Sequence, residues 1–166
     1  MIDSSGYRPN VGIILSNTRR QVFLARRCGQ NAWQFPQGGI DMEESPQEAM
    51  FRELYEETGL LPDHVEIMGR TSEWLRYNLP KRYVRRNQHP VCIGQKQIWY
   101  MLRMTCPETQ VNLATTTHPE FDRWRWVNYW APIRKVIYFK RRVYREALKE
   151  LRPLVFPVDE AMSGSD

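Results

Sequence analysis

The sequence predicts an α+β fold in which a mixed β-sheet lies between helices. Three observations carry this. Short apolar or alternating segments bounded by turn residues recur along the chain. Two segments have a helical period instead, and each opens at a proline. The two kinds of segment mix without strict strand–helix–strand alternation, which favours a mixed sheet over a doubly wound parallel one. With 166 residues, 42% of them hydrophobic, the chain suits a single domain with a sizeable core.

Residues 10–16 (NVGIILS) read as a strand, and 21–27 (QVFLARR) as its hairpin partner across a short polar turn. Residues 33–41 (WQFPQGGID), punctuated by Pro36, Gly38 and Gly39, read as a loop. Pro46 suits the first turn of a helix with Ser45 as its N-cap, and Gly59 stops that helix after Thr58. Ala49, Met50 and Leu54, with Phe51 nearby, give it a partly buried face. Residues 64–70 and 95–104 read as strands, and Pro80 argues against one regular element over 74–86. RWRWV, 123–127, alternates cleanly, which makes Trp124 and Trp126 core residues of a strand. A C-terminal helix is expected from Pro132 to Pro153, its stripe running through Ile133, Val136, Ile137, Tyr144, Ala147, Leu148 and Leu151. The domain is therefore expected over 1–153, with 154–166 as a flexible acidic tail.

Net charge is +5 despite 19 acidic residues, which predicts anionic partners: nucleic acid, polyphosphates or a membrane surface. The start, MIDSSGYRPN, has no apolar signal region, and no apolar run approaches the roughly 20 residues of a membrane span. Cys28, Cys92 and Cys106 are odd in number and widely spaced, so they read as reduced thiols in a cytoplasmic protein. His64, His89 and His118 have no metal-ligand spacing.

RELYEETGL, 52–60, crowds Glu53, Glu56 and Glu57 onto one helical face. Like charges there repel by a few tenths of a kcal/mol per pair, and the C-terminal half of the helix disfavours anions. No lysine four residues on balances them. The arrangement is costly unless a hard divalent cation binds, although a solvated helix face has the same spacing.

The flanks extend the pattern. Gly38, then Glu44, then Arg52, Glu53, Leu54, Glu56, Glu57, Gly59 and Leu60 match all nine fixed positions of a 23-residue motif. At about one chance in twenty per position, accident is negligible. The chain thereby resembles the Nudix hydrolases. The resemblance implies an α/β/α sandwich with the motif as loop–helix–loop, and metal-dependent hydrolysis of a nucleoside diphosphate linked to another group. It implies Mg²⁺, with Mn²⁺ or Zn²⁺ as alternatives, held by Glu53, Glu56 and Glu57. Gly38 lets backbone approach metal or phosphate closely. Glu44 and Arg52 pair and orient the ligand carboxylates. Glu53 is the residue expected to matter most for chemistry, as ligand and base. Glu120, in the loop THPEFD, is an additional candidate ligand or base.

GYRPNVGI, WQFPQGGI, WLRYNLPKR, VCIGQKQ, PEFDRWRWV and FKRRVY together resemble the bacterial RNA pyrophosphohydrolases, over about residues 1–150. That resemblance implies removal of pyrophosphate or phosphate from tri- or diphosphorylated RNA 5′ ends, leaving a monophosphate that initiates messenger RNA decay. Dinucleoside polyphosphate hydrolysis is the nearest alternative. A non-catalytic RNA-binding module is the alternative of a different class, and the intact carboxylates speak against it.

An RNA end needs a basic track and a stacking surface. Basic clusters lie at 19–27, 76–86 and 134–145. Phe139, followed by Lys140, falls off the apolar stripe and is a candidate base-stacking residue. Ile137 could line the same base pocket but also belongs to the core stripe. Arg8 and Arg27 are candidate phosphate contacts, and Gln95 and Lys96 candidate substrate contacts from the long strand.

Overall fold

The computed structural model describes residues 1–157. Its strands are β1 (Tyr7–Ser16), β2 (Val22–Arg27), β3 (Trp33–Gln34), β4 (Gln37–Gly39), β5 (Val65–Arg70), β6 (Leu75–Asn78), β7 (Gly94–Met104) and β8 (Phe121–Val127). The helices are α1 (Pro46–Thr58), α2 (Pro132–Lys135) and α3 (Arg141–Val155). The strands form one mixed sheet, with β1 and β7 running parallel from Tyr7↔Gly94 to Ser16↔Arg103. The other edge of β1 is shared. β2 meets it at Ser16↔Val22, and β4 meets it at Val11↔Gly38. The hairpin expected of β2 is thus a single point of pairing, and β2 pairs at length with β8.

The run VGIIL is buried on both sides because both faces of the sheet are covered. Val11, Ile13 and Leu15 join Ala49, Met50 and Leu54 of α1 in one core. Ile14, Trp99 and Met101 join Val143, Tyr144, Ala147 and Leu148 of α3 in the other. Gly12 faces that second core, where a Cβ would lie 2.3 Å from the Trp99 ring. Trp124 stacks on Phe23, centroids 5.0 Å apart, and Trp126 packs edge-on to both.

Three sequence expectations are corrected. Residues 33–41 are not loop throughout, because the glycine backbone at Gln37–Gly39 pairs with β1. The C-terminal helix is not continuous. Val136 (ψ 157°) and Ile137 (ψ 141°) are extended, and a 3₁₀ turn over Tyr138–Lys140 precedes α3. Two successive β-branched residues favour that extended backbone. Ile137 therefore leaves the core stripe and is 42% exposed. Pro153 does not end α3, which continues to Val155 with Leu151 and Val155 buried. That burial outweighs one lost backbone hydrogen bond. From residue 158 on, the expected tail lies outside the described residues.

Candidate active site

α1 is defined by its ends. Ser45 Oγ accepts the Glu48 N–H while Glu48 accepts the Ser45 N–H, and Gly59 closes the helix at φ 75°. Its inner stripe docks on the sheet, which presents Glu53 and Glu57 toward β4, while the Glu56 side chain is more exposed and is reached by Arg52. Gly38 makes this approach possible, since a Cβ there would lie 1.9 Å from Glu53 Cδ.

Arg52 organises the acidic face. It donates to both Glu44 oxygens at 2.8 and 2.9 Å, to Glu53 at 2.8 Å and to the Gly39 carbonyl at 2.8 Å, with Glu56 at 3.4 Å. The Arg52 hydrogen bond holds the Glu44 carboxyl down to about 2. Glu57 is 7% exposed and accepts the Gln37 N–H at 3.2 Å. Burial, then repulsion from Glu53 and Glu120, pushes its carboxyl well above the usual range. Burial also raises Glu53, against the opposing pull of Arg52.

β8 and the 3₁₀ turn bring two distant residues to the same place. Glu120 pairs with Arg27 at 3.4 Å. Lys140 is 9% exposed and lies over the Tyr77 ring at 5.7 Å. Burial lowers its ammonium to about 8, with Arg27 adding to this and Glu120 and Glu57 opposing it. Glu53, Glu57, Glu120, Arg27 and Lys140 thus form one electrostatic unit from four parts of the chain.

A wall of aromatic and polar residues continues from it. Gln97 donates to Asn10 Oδ1 at 2.8 Å and to Gln37 Oε1 at 3.4 Å. Phe139 lies 5.8 Å from both Tyr77 and Tyr83, centroid to centroid. It is packed against the core rather than free on all sides, while Ile137 and Tyr138 beside it are exposed. Beyond Tyr83 opens a pocket of about 280 Å³ lined by Arg8, Gln95, Arg85, Gln88, Cys92 and Leu79. Gln95 Oε1 is buried with no hydrogen-bond partner among the described residues, so it is poised for a donor from outside.

Lys96 lies apart from this group. Strand alternation turns it to the other face of β7, where it pairs with Asp3 at 3.0 Å over Trp74. Sequence reasoning missed Gln37, Gln97, Tyr77 and Tyr83. Only the last two carried a signal, as aromatics within the basic stretch 74–86.

The residues fit a divalent cation. Buried, crowded carboxylates with raised protonation are stabilised as anions by a cation, and the missing side chain of Gly38 lets the Glu53 carboxylate lie directly against that strand. Among the described residues, no three carboxylate, His or Cys side chains converge tightly enough to enclose an ion by themselves. A small hard cation that keeps waters and shares substrate phosphates does not need such a cage.

A mixed sheet between helices, with this acidic helix laid against a glycine strand, defines a class. The chain belongs to the NUDIX family, whose NUDIX domain model matches residues 6–148. That family is one of generally divalent-metal-dependent hydrolases. Among curated relatives, a protein of Thioalkalivibrio sulfidiphilus named RNA pyrophosphohydrolase is 63% identical over 99% of this chain and 94% of its own. One of the same name from Alkalilimnicola ehrlichii is 62% identical over 95% of this chain and 87% of its own. The E. coli dihydroneopterin triphosphate pyrophosphohydrolase shares the fold, with a TM-score of 0.66 at 14% identity over 87% of this chain and 98% of that one. No helix among the described residues is long and apolar enough to cross a membrane.

Proposed function

We propose that this protein is an RNA pyrophosphohydrolase that converts 5′-triphosphorylated or diphosphorylated RNA to 5′-monophosphorylated RNA. The observation that carries the reading is 63% identity to a protein of that name across 99% of the chain. The site agrees with it. A free nucleotide needs a compact pocket, whereas this acidic centre opens onto aromatic rings and a pocket holding Arg8 and Arg85.

In this reading water adds to a phosphorus of the 5′ polyphosphate, an anhydride P–O bond breaks, and pyrophosphate or phosphate leaves. Glu53, Glu56 and Glu57, with Glu120 and the Gly38 backbone, would hold Mg²⁺. When bound, the ion makes a water more acidic and neutralises phosphate oxygens. Arg52 fixes the rotamers of Glu53 and Glu56, and Gln37 fixes that of Glu57. Glu120 is placed to take a proton at its carboxylate. Lys140 and Arg27 face the polyphosphate, Arg8 and Gln95 contact the strand behind it, and Phe139 with Ile137 stacks a base. Lys96 would contribute only through the field it adds. In this reading the protein acts in the cytoplasm at the start of messenger RNA decay.

The test is a competition between 5′-triphosphorylated RNA and a dinucleoside polyphosphate in Mg²⁺, with Glu53→Gln as control. A higher kcat/KM on RNA and an inactive variant are expected. A win for the dinucleotide would replace the substrate and keep the reaction class.

A further inference from the structure

The basic residues do not form one track. Arg19 and Arg20 lie in the β1–β2 turn beyond Ser16, which is five residues along β1 from the Val11↔Gly38 pairing, or roughly 17 Å at about 3.3 Å per residue. There they meet Arg134 of α2 and Arg152 of α3 around a separate cleft of about 520 Å³, within the range of small-ligand sites. Its remaining walls among the described residues are Gln21, Asn128, Tyr129, Trp130, Ala131 and Phe156, none of them a carboxylate.

Gathering four cations without an anion is unfavourable unless an anion from elsewhere balances them. Among the described residues, none of the four is in an ion pair. Two of them are nonetheless held in place. The Arg20 and Arg152 guanidinium groups rest on the Phe156 ring at 5.3 and 5.0 Å. Asn17 Oδ1 accepts the Arg19 and Gln21 N–H groups, and Arg20 takes φ 61°, so the turn is fixed. Guanidinium groups stacked through their faces keep their N–H edges free, the arrangement that suits phosphate. Trp130 supplies a flat surface beside them, 39% exposed and braced edge-on by Tyr129.

We propose that this cleft is a second nucleotide-binding site, remote from the acidic centre. The arginines take the phosphate, Trp130 stacks the base, and Gln21 and Asn128 offer amides to the base edge or ribose. The chemistry is that of a nucleotide unit, supplied by an RNA strand or by a free nucleotide. It does not rest on the reaction assigned above.

The experiment reads binding, on the full chain, so that Asp159 and Glu160, which follow in sequence, are present. The Trp130 indole N–H resonance is followed while 5′-hydroxyl RNA or ADP is added, neither ligand offering a 5′-triphosphate. In parallel, the affinity for the same RNA is measured against salt for wild type and Arg19→Gln/Arg134→Gln. The resonance is expected to shift, and loss of two cations should lower the salt slope by about 1.4. A shift with RNA alone identifies a strand as the occupant, and a shift with ADP as well identifies a free nucleotide. An unmoved Trp130 with both ligands, or a variant slope equal to wild type, overturns the proposal.

Discussion

Gly38 and Glu53 compete for one space: a Cβ on Gly38 would lie 1.9 Å from Glu53 Cδ and 2.2 Å from Glu53 Oε1. The strand side of the site and its helix side are thus fitted to each other at a single contact. A methyl group at Gly38 has to drive the Glu53 carboxylate away from the position in which Arg52 holds it.

Gly38→Ala should therefore cost activity more than stability. A displacement of about 1 Å at a reacting group costs on the order of a hundredfold in rate. Overpacking at this partly open edge should cost about 1–3 kcal/mol. Steady-state kinetics on 5′-triphosphorylated RNA, with a melting curve on the same sample, measures both. Wild-type kcat would show that the Glu53 position is not needed.

Glu53→Gln and Glu57→Gln remove an anionic oxygen and almost no volume. Turnover in Mg²⁺ should fall by at least about a hundredfold. Unfolding should change little, and Glu57→Gln should be neutral or stabilising, because the wild-type carboxylate is buried and its charged form disfavoured. Either variant with wild-type turnover would remove these residues from the metal site.

Glu44 ties stability to acid pH. Its carboxyl lies at about 2 in the folded protein against 4.5 ordinarily, because Arg52 donates to it. Between those values the unfolded chain binds more protons, so this stabilisation is full above about 4.5 and is lost as pH falls toward about 2. Glu44→Gln should be less stable near neutral pH by on the order of 1 kcal/mol, and the difference should vanish in acid. Urea unfolding at several pH values measures this, and a pH-independent difference would rule it out.

Lys140 has a pH slope of the same sign but the opposite effect near neutral pH, where its charge opposes folding. Burial lowers its ammonium from 10.5 to about 8, so the folded state disfavours the charge and stability declines as pH falls from 10.5 through about 8. Lys140→Met should raise stability near neutral pH by about 2 kcal/mol while lowering kcat/KM on RNA. A variant less stable than wild type would mean that Glu57 and Glu120 stabilise the ammonium more than burial penalises it.

Phe139→Ala and Tyr83→Ala should separate the substrates. Loss of a stacked base costs about 1–3 kcal/mol, or roughly five- to a hundredfold in kcat/KM on RNA. A dinucleoside polyphosphate should lose less. Equal losses on both would make these rings supports of the Tyr77–Phe139–Tyr83 cluster rather than contacts to substrate.

α1 was legible because its signals are local. Ser45, Pro46, Glu48 and Gly59 act within a few residues of where they stand, and each does so in the structure. The C-terminal segment was not, because an apolar period continues across Val136 and Ile137 although the backbone there is extended. The three short pairings of Gln37–Gly39 were hidden for a related reason: glycines that signal a loop also suit a strand pressed against an acidic helix.

By itself, then, the sequence determined the family, the acidic helix and its caps, and the spacing that nominates carboxylates for a cation and basic and aromatic residues for an RNA end. These depend on spacing within a helix or a motif, which the chain order states directly. The tertiary structure alone decided that Lys140 is buried beside Glu57 and Glu120. It alone set Gln95 and Lys96 on opposite faces of the sheet, and divided the arginines between a pocket near the acidic centre and a cleft far from it. Such placements follow from long-range strand pairing and the break before α3, and charge repulsion and burial act through space rather than along the chain.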